Sequence, residues 1–170
     1  SDIFTIQEIK KKSISKLKLC WIGDANNNMM NSLIEACIKF SVSLNIACPK
    51  DYQPNKALIT LIKKQKGKIK IFNKKEKAVK NSDVVMTDKI ISLNDKVNKK
   101  KKLKSFKNFK VDTKTMNLAK KDAIFLHCLP RGNEVTEEVF LGKQSRVWQQ
   151  ALNRVYVQKS ILLYCFGKLR

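Results

Sequence analysis

This 170-residue chain has a single histidine, His127, so imidazole chemistry happens at that residue or nowhere. Arginine is also scarce, with 4 residues (Arg131, Arg146, Arg154 and Arg170) among 36 basic ones. Specific phosphate and base recognition leans on the bidentate arginine fork, often with interleaved aromatics. The densest basic block, residues 96–110, offers only Phe106 and Phe109 among 8 lysines. Acidic residues number 14, which leaves a formal charge of +22. A lysine surface of this kind is read as solvated, with nucleic acid bound only non-specifically and salt-sensitively. No Cys-x-x-Cys pair occurs among Cys20, Cys37, Cys48, Cys128 and Cys165. That excludes the usual zinc and disulfide frameworks and fits reduced thiols, hence a cytoplasmic protein. No apolar run approaches the roughly 20 residues of a membrane span, and the first residues lack the pattern of a secretory leader. No metal or cofactor is expected. A Gly-x-Gly-x-x-Gly after the first strand is missing too, so dinucleotide binding has no support.

What is present is an alternation of strand-like and helix-like stretches. Hydrophobic residues make up 43% of the chain, enough for one folded domain. A helix over 3–12, with Thr5 as a capped start, leads to a first strand at 17–22. Further strands are predicted at 43–48, 68–72, 83–87 and 123–127. Helices are predicted at 29–40, 55–66, 74–80, 95–108, 113–120 and 136–140. A long last helix, 145–165, shows apolar spacing at Val147, Ala151, Val155, Ile161, Leu162 and Cys165. The fold class is α/β: a Rossmann-like, doubly wound, mainly parallel five-stranded sheet flanked by helices, with a long C-terminal helix.

In such a sheet, ligands sit outside the carboxyl ends of the strands. Those ends carry Asp24 with Asn26, Asn27 and Asn28; Asp88 with Ser92; and His127-Cys128, followed by Pro130 and Arg131. Carboxylates and a hydroxyl suit an ammonium group, and amides suit a carboxylate, so the set fits a small zwitterion. Each group alone has an ordinary structural use. Asparagines form turns, an aspartate caps a helix, and a strand-end cysteine packs as a small apolar residue. Their convergence on one edge carries the functional reading.

Four segments resemble ornithine carbamoyltransferases: Trp21-Ile22-Gly23-Asp24-Ala25-Asn26-Asn27-Asn28-Met29; Val85-Met86-Thr87-Asp88 with Ser92-Leu93; Phe125-Leu126-His127-Cys128-Leu129-Pro130-Arg131; and Gln150-Ala151-Leu152-Asn153-Arg154. The resemblance covers essentially all of this chain but only the carboxyl-terminal half of that enzyme. It implies a linker helix over 1–14 and an ornithine-binding domain over 15–170. The amino-terminal carbamoyl-phosphate domain, with its Ser-Thr-Arg-Thr motif, has no counterpart here.

The resemblance also implies roles. Asn28 and the Leu93 N–H hold the ornithine α-carboxylate, while Asp88 and Ser92 hold its α-ammonium. Cys128 sits beside the δ-amine, the Leu129 carbonyl faces the carbamoyl nitrogen, and Arg154 reaches carbamoyl phosphate. His127 organises the Asp88–Cys128 network. The implied substrates are L-ornithine and carbamoyl phosphate, giving L-citrulline in arginine synthesis, and the implied full-length assembly is a homotrimer. The chain departs from the family in places: its Trp-Ile-Ser-Met-Gly loop reads Ile90-Ile91-Ser92-Leu93-Asn94 here, with asparagine in place of glycine, and Leu152 stands where it has glutamate. Alternatives are a carbamoyltransferase for a modified ornithine or related amine, and a non-catalytic polyanion-binding relative.

Overall fold

The computed structural model describes residues 1–91 and 98–169. Helix α1 (Asp2–Lys10) ends at Lys11, in the left-handed conformation. It leads through a 3-10 turn to β1 (Lys18–Ile22) and α2 (Asn28–Lys39). Then come β2 (Ser43–Ala47), α3 (Lys56–Lys64), β3 (Ile69–Phe72), α4 (Lys75–Val79) and β4 (Val84–Thr87). The rest is α5 (Lys99–Ser105), α6 (Thr113–Asn117), β5 (Ile124–His127), α7 (Glu137–Phe140) and α8 (Val147–Cys165). The strand order is β3-β2-β1-β4-β5, and every pairing is parallel.

Side chains alternate between the two faces of each strand. Leu19, Trp21, Leu44, Ile46, Val84, Met86 and Leu126 therefore share one core with Ile6, Met30, Ile34 and Leu58 from α1, α2 and α3. Cys20, Ile22, Val85 and Phe125 face the other core, with Ala78, Phe106, Phe109, Met116, Phe140 and Val147. Each face of the sheet is thus covered, as parallel strands require. Asn27, Asn55, Asn98 and Asp112 start α2, α3, α5 and α6, their side chains accepting the backbone N–H three residues on.

Three expectations change. Thr5 does not cap α1: it lies within the helix, and its hydroxyl donates to the Ser1 carbonyl. The helix expected over 95–108 is α5 followed by a separate 3-10 turn at Lys107–Phe109, and 95–97 lie outside the described residues. The break seats both Phe106 and Phe109 in the core, with Phe106 4.8 Å from the Tyr52 ring. Finally, the apolar spacing of α8 does not mark a buried stripe. Val147 is buried, but Val155, Ile161, Leu162 and Cys165 are exposed, and the buried partners of α1 are the polar Gln150 and Asn153.

The chain runs outward from β1 through β2 to β3, then crosses back to β4 and β5. The strand order therefore reverses between β1 and β4, where a doubly wound sheet opens a crevice. Thr87 closes its floor, donating from Oγ1 to the Ile22 carbonyl at 2.6 Å. Gly23 follows with φ +148°, and a Cβ there would meet Thr87 Oγ1 at 3.4 Å, so only glycine passes this point without strain.

Candidate active site

β5 delivers His127 to its last position, and the chain then leaves the sheet through Cys128, Leu129 and Pro130. His127 is 2% exposed and both ring nitrogens are in use. The Leu129 N–H donates to Nδ1 at 2.9 Å, so Nδ1 carries a lone pair and the proton sits on Nε2. Nε2–H then donates to Glu134 Oε1 at 2.9 Å, and the same oxygen accepts the Gly132 N–H at 2.6 Å. Phe140 packs edge-on to the imidazole from below and carries Arg131 over its ring at 5.1 Å. The loop is thus wound around the imidazole. Leu129 takes φ +33°, a conformation that costs a leucine about 1–3 kcal/mol and persists where its surroundings impose it.

Asp88 follows β4; its carboxylate accepts the Lys89 N–H at 2.7 Å and lies beside the Cys128 thiol. Burial raises the Asp88 pKa, and the Lys89 N–H, the thiol and His127 offset this only in part. Burial likewise pushes the Cys128 thiol up, reinforced by the carboxylates of Asp88 and Asp2. The thiol is therefore a protonated donor at neutral pH, not a thiolate nucleophile. Glu134 goes the other way: burial raises its pKa, but the bonds from His127 and Gly132 outweigh it, and the net value is lowered.

A cavity of about 420 Å³ opens beside this loop. His127 lines it from the end of β5, Cys128 and Leu129 from the loop that follows, Asp2 from α1, Met29 from α2, and Gln150 and Arg154 from α8. Four of the residues singled out from sequence (His127, Cys128, Leu129 and Arg154) therefore share one cavity, with Asp88 beside Cys128. Asn28 is the first residue of α2, exposed and next to Met29. Ser92, Leu93 and Asn94 lie outside the described residues. No ring hydrogen bond links His127 to Asp88 or Cys128 among the described residues; its Nδ1 accepts the Leu129 N–H, one residue beyond Cys128 in the loop.

Sequence reading alone left three residues unassigned. Glu134 had no role, although the bare Gly132 is a signal: a Cβ there would sit 2.7 Å from Glu134 Oε2. Gln150 belongs to a matched motif but had no role. Lys102, lost in a lysine run, is buried and ion-paired with Asp24 at 2.7 Å, its ammonium 5.6 Å from the centre of the Tyr52 ring. Asp24 in turn accepts the Asn26 N–H, so the pair fixes the loop after β1. Among the described residues, no group of three or more His, Cys, Asp or Glu side chains could hold a metal ion, and no helix is long and apolar enough to cross a membrane.

The family model for the aspartate/ornithine carbamoyltransferase Asp/Orn-binding domain matches residues 15–165. The chain belongs to this family. An ornithine carbamoyltransferase of Methanocorpusculum labreanum is 40% identical over 165 residues, covering 96% of this chain and 53% of the relative. One from Ruthia magnifica is 42% identical over 166 residues, covering 96% and 54%. Among solved structures, the anabolic ornithine carbamoyltransferase of Campylobacter jejuni superposes with a TM-score of 0.89 at 38% identity, covering 98% of this chain and 57% of that one. The Pyrococcus furiosus enzyme gives 0.87 at 34% identity, covering 99% and 55%. This carbamoyltransferase domain thus spans about half the length of the relatives it matches.

Proposed function

We propose that this chain is the ornithine-binding half of an ornithine carbamoyltransferase, converting L-ornithine and carbamoyl phosphate to L-citrulline and phosphate. The observation that carries the reading is one cavity lined by Cys128, Leu129 and Arg154, with the Asp88 carboxylate beside Cys128. The neutral δ-amine attacks the carbamoyl carbon, a C–N bond forms, the C–O bond to phosphate breaks and the amine loses a proton. No covalent enzyme intermediate is needed, which suits a site whose cysteine is protonated. Catalysis then rests on orientation and on charge stabilisation.

Asp88 and Ser92 hold the α-ammonium, and Asn28 with the Leu93 N–H holds the α-carboxylate. Cys128 and the Leu129 carbonyl flank the reacting nitrogens, and the permanently charged Arg154 faces the phosphate. His127, locked by Glu134 and Leu129, sets the loop that presents them. The likeness to the anabolic Campylobacter jejuni enzyme extends the proposal to arginine synthesis; a cytoplasmic location and a homotrimeric full-length enzyme are proposed with it.

Residues 1–14 are the linker, 15–170 the ornithine-binding domain, and the remaining phosphate-handling half completes the site. The second half of α8, with Tyr164 70% exposed, and Phe166 just beyond it, 75% exposed, form the surface that half would cover. The test is to mix this chain with the separately produced amino-terminal half of the Campylobacter jejuni enzyme and assay citrulline. Turnover is expected from the mixture only. Citrulline from the 170-residue chain alone, or from neither preparation, would contradict this division of labour.

A further inference from the structure

β5 is an edge strand, and its outward N–H groups need acceptors. The Phe125 N–H finds the Gln144 carbonyl at 2.8 Å. The His127 N–H finds a side chain instead: Gln150 Oε1, at 2.9 Å. Gln150 is 4% exposed and uses the other end of its amide as well, donating from Nε2 to Asp2 Oδ1 at 3.0 Å. An amide in this position has a fixed polarity, because turning it over would face donor to donor and acceptor to acceptor.

The neighbouring polar contacts behave differently. Asn153 donates to Thr5 and Glu8, and Gln149 to Glu8; these join α1 to α8 and stop there, while Gln149 also donates to Asn153 within α8. Among the described residues, Gln150 is the member of that seam that reaches β5. Beyond it the connection continues through the His127 backbone to its imidazole, and from Nδ1 to the Leu129 N–H.

We propose that Gln150 is a positioning residue: its amide is a strut that ties the Asp2 carboxylate at the start of α1 to the His127 backbone, and so sets the His127–Leu129 segment in the site. This rests on the ornithine-site reading above. Because α1 is the linker in that reading, the strut makes the linker's first turn and the catalytic loop move together. Asp2 itself lines the cavity, so a shift of the strut also moves a carboxylate relative to Cys128.

The experiment exchanges the polarity of the strut in a Cys165→Ser background, which leaves Cys128 as the one cysteine that is not buried. Gln150→Glu keeps the acceptor for His127 but sets two carboxylates against each other. Adding Asp2→Asn restores a donor opposite Glu and remakes the strut with reversed polarity. Three readouts apply: the pH profile of Cys128 alkylation by iodoacetamide, the His127 amide resonance, and L-ornithine affinity by calorimetry.

Gln150→Glu is expected to shift the alkylation profile and weaken ornithine about tenfold, the scale of one lost hydrogen bond. The double variant is expected to return within about threefold of the parent. Asn153→Ala, which breaks only the α1–α8 seam, should lower Tm yet leave the alkylation profile unmoved. The proposal is overturned if Gln150→Glu alkylates and binds like the parent. It is equally overturned if the double variant is no closer to the parent than the single, or if Asn153→Ala shifts the profile as much as Gln150→Glu. Should the parent fail to bind ornithine, the functional reading falls, while the alkylation and amide readouts still decide the strut.

Discussion

Replacing Glu134 by alanine removes the acceptor that serves both the His127 Nε2–H and the Gly132 N–H, at a position 2% exposed. Water cannot substitute at such burial without opening the loop, so two donors are orphaned. At about 1–3 kcal/mol for each unsatisfied buried group, the loss is roughly 2–6 kcal/mol, against a total stability of about 5–15 kcal/mol. Taking about 4 kcal/mol as the centre, Tm falls by roughly 8–16 °C for a chain of this length.

Glu134→Gln keeps an oxygen in place and loses only the charge assistance, so its cost is about 1 kcal/mol. The carboxylate's lowered pKa adds a signature. Its stabilisation is present above the unfolded value, near 4.3, and is lost as pH falls through the folded value, so the glutamine variant has a flatter acid limb than the parent. Urea denaturation from pH 7 down to pH 3 measures both. A loss below 1 kcal/mol for alanine, or equal losses for alanine and glutamine, would refute the argument. So would imidazole nitrogen shifts showing the proton on Nδ1 of His127.

Asp88 has the opposite sign. Its pKa is raised by burial, so stability is fully present below the unfolded carboxylate value and is lost as pH rises through the folded one. Asp88→Asn should therefore raise Tm at pH 7 in a thermal scan, while ornithine affinity drops at least tenfold for want of a charge-assisted partner. The same substitution removes the carboxylate beside Cys128 and should speed its alkylation at pH 8, measured by mass spectrometry. Lys102→Met strands the buried Asp24 carboxylate and should cost about 3–5 kcal/mol by urea denaturation, much of it recovered when Asp24→Asn is added.

The sheet was readable from sequence because strands buried on both faces are continuous apolar runs between turn residues: all five were placed within a residue or two of where they lie. Ends were less readable where long-range packing decides them. Phe106 and Phe109 break the basic helix to reach the core, and α1 starts early because its first turn meets α8. The misleading element was α8, whose apolar spacing implies a core stripe, while its buried contacts are the amides of Gln150 and Asn153. His127, Cys128, Leu129 and Arg154 were legible as motifs, and the structure brings them to one cavity. Glu134, Gln150 and Lys102 were not. Gln150 and Lys102 act on partners 148 and 78 residues away along the chain, distances at which local pattern carries no information, while Glu134 meets His127 only because the loop between them folds back.

Ornithine recognition is tested most directly by titrating the isotopically labelled chain with L-ornithine and following its amide resonances. Half a site with two or three charged contacts should give a dissociation constant on the order of 1 mM. The shifts should cluster at Asn28, Asp88 and 127–129, weaken as pH falls through the Asp88 titration, and vanish in Asp88→Asn. Shifts spread over the lysine surface and abolished by salt would contradict the account, as would a response unchanged in Asp88→Asn.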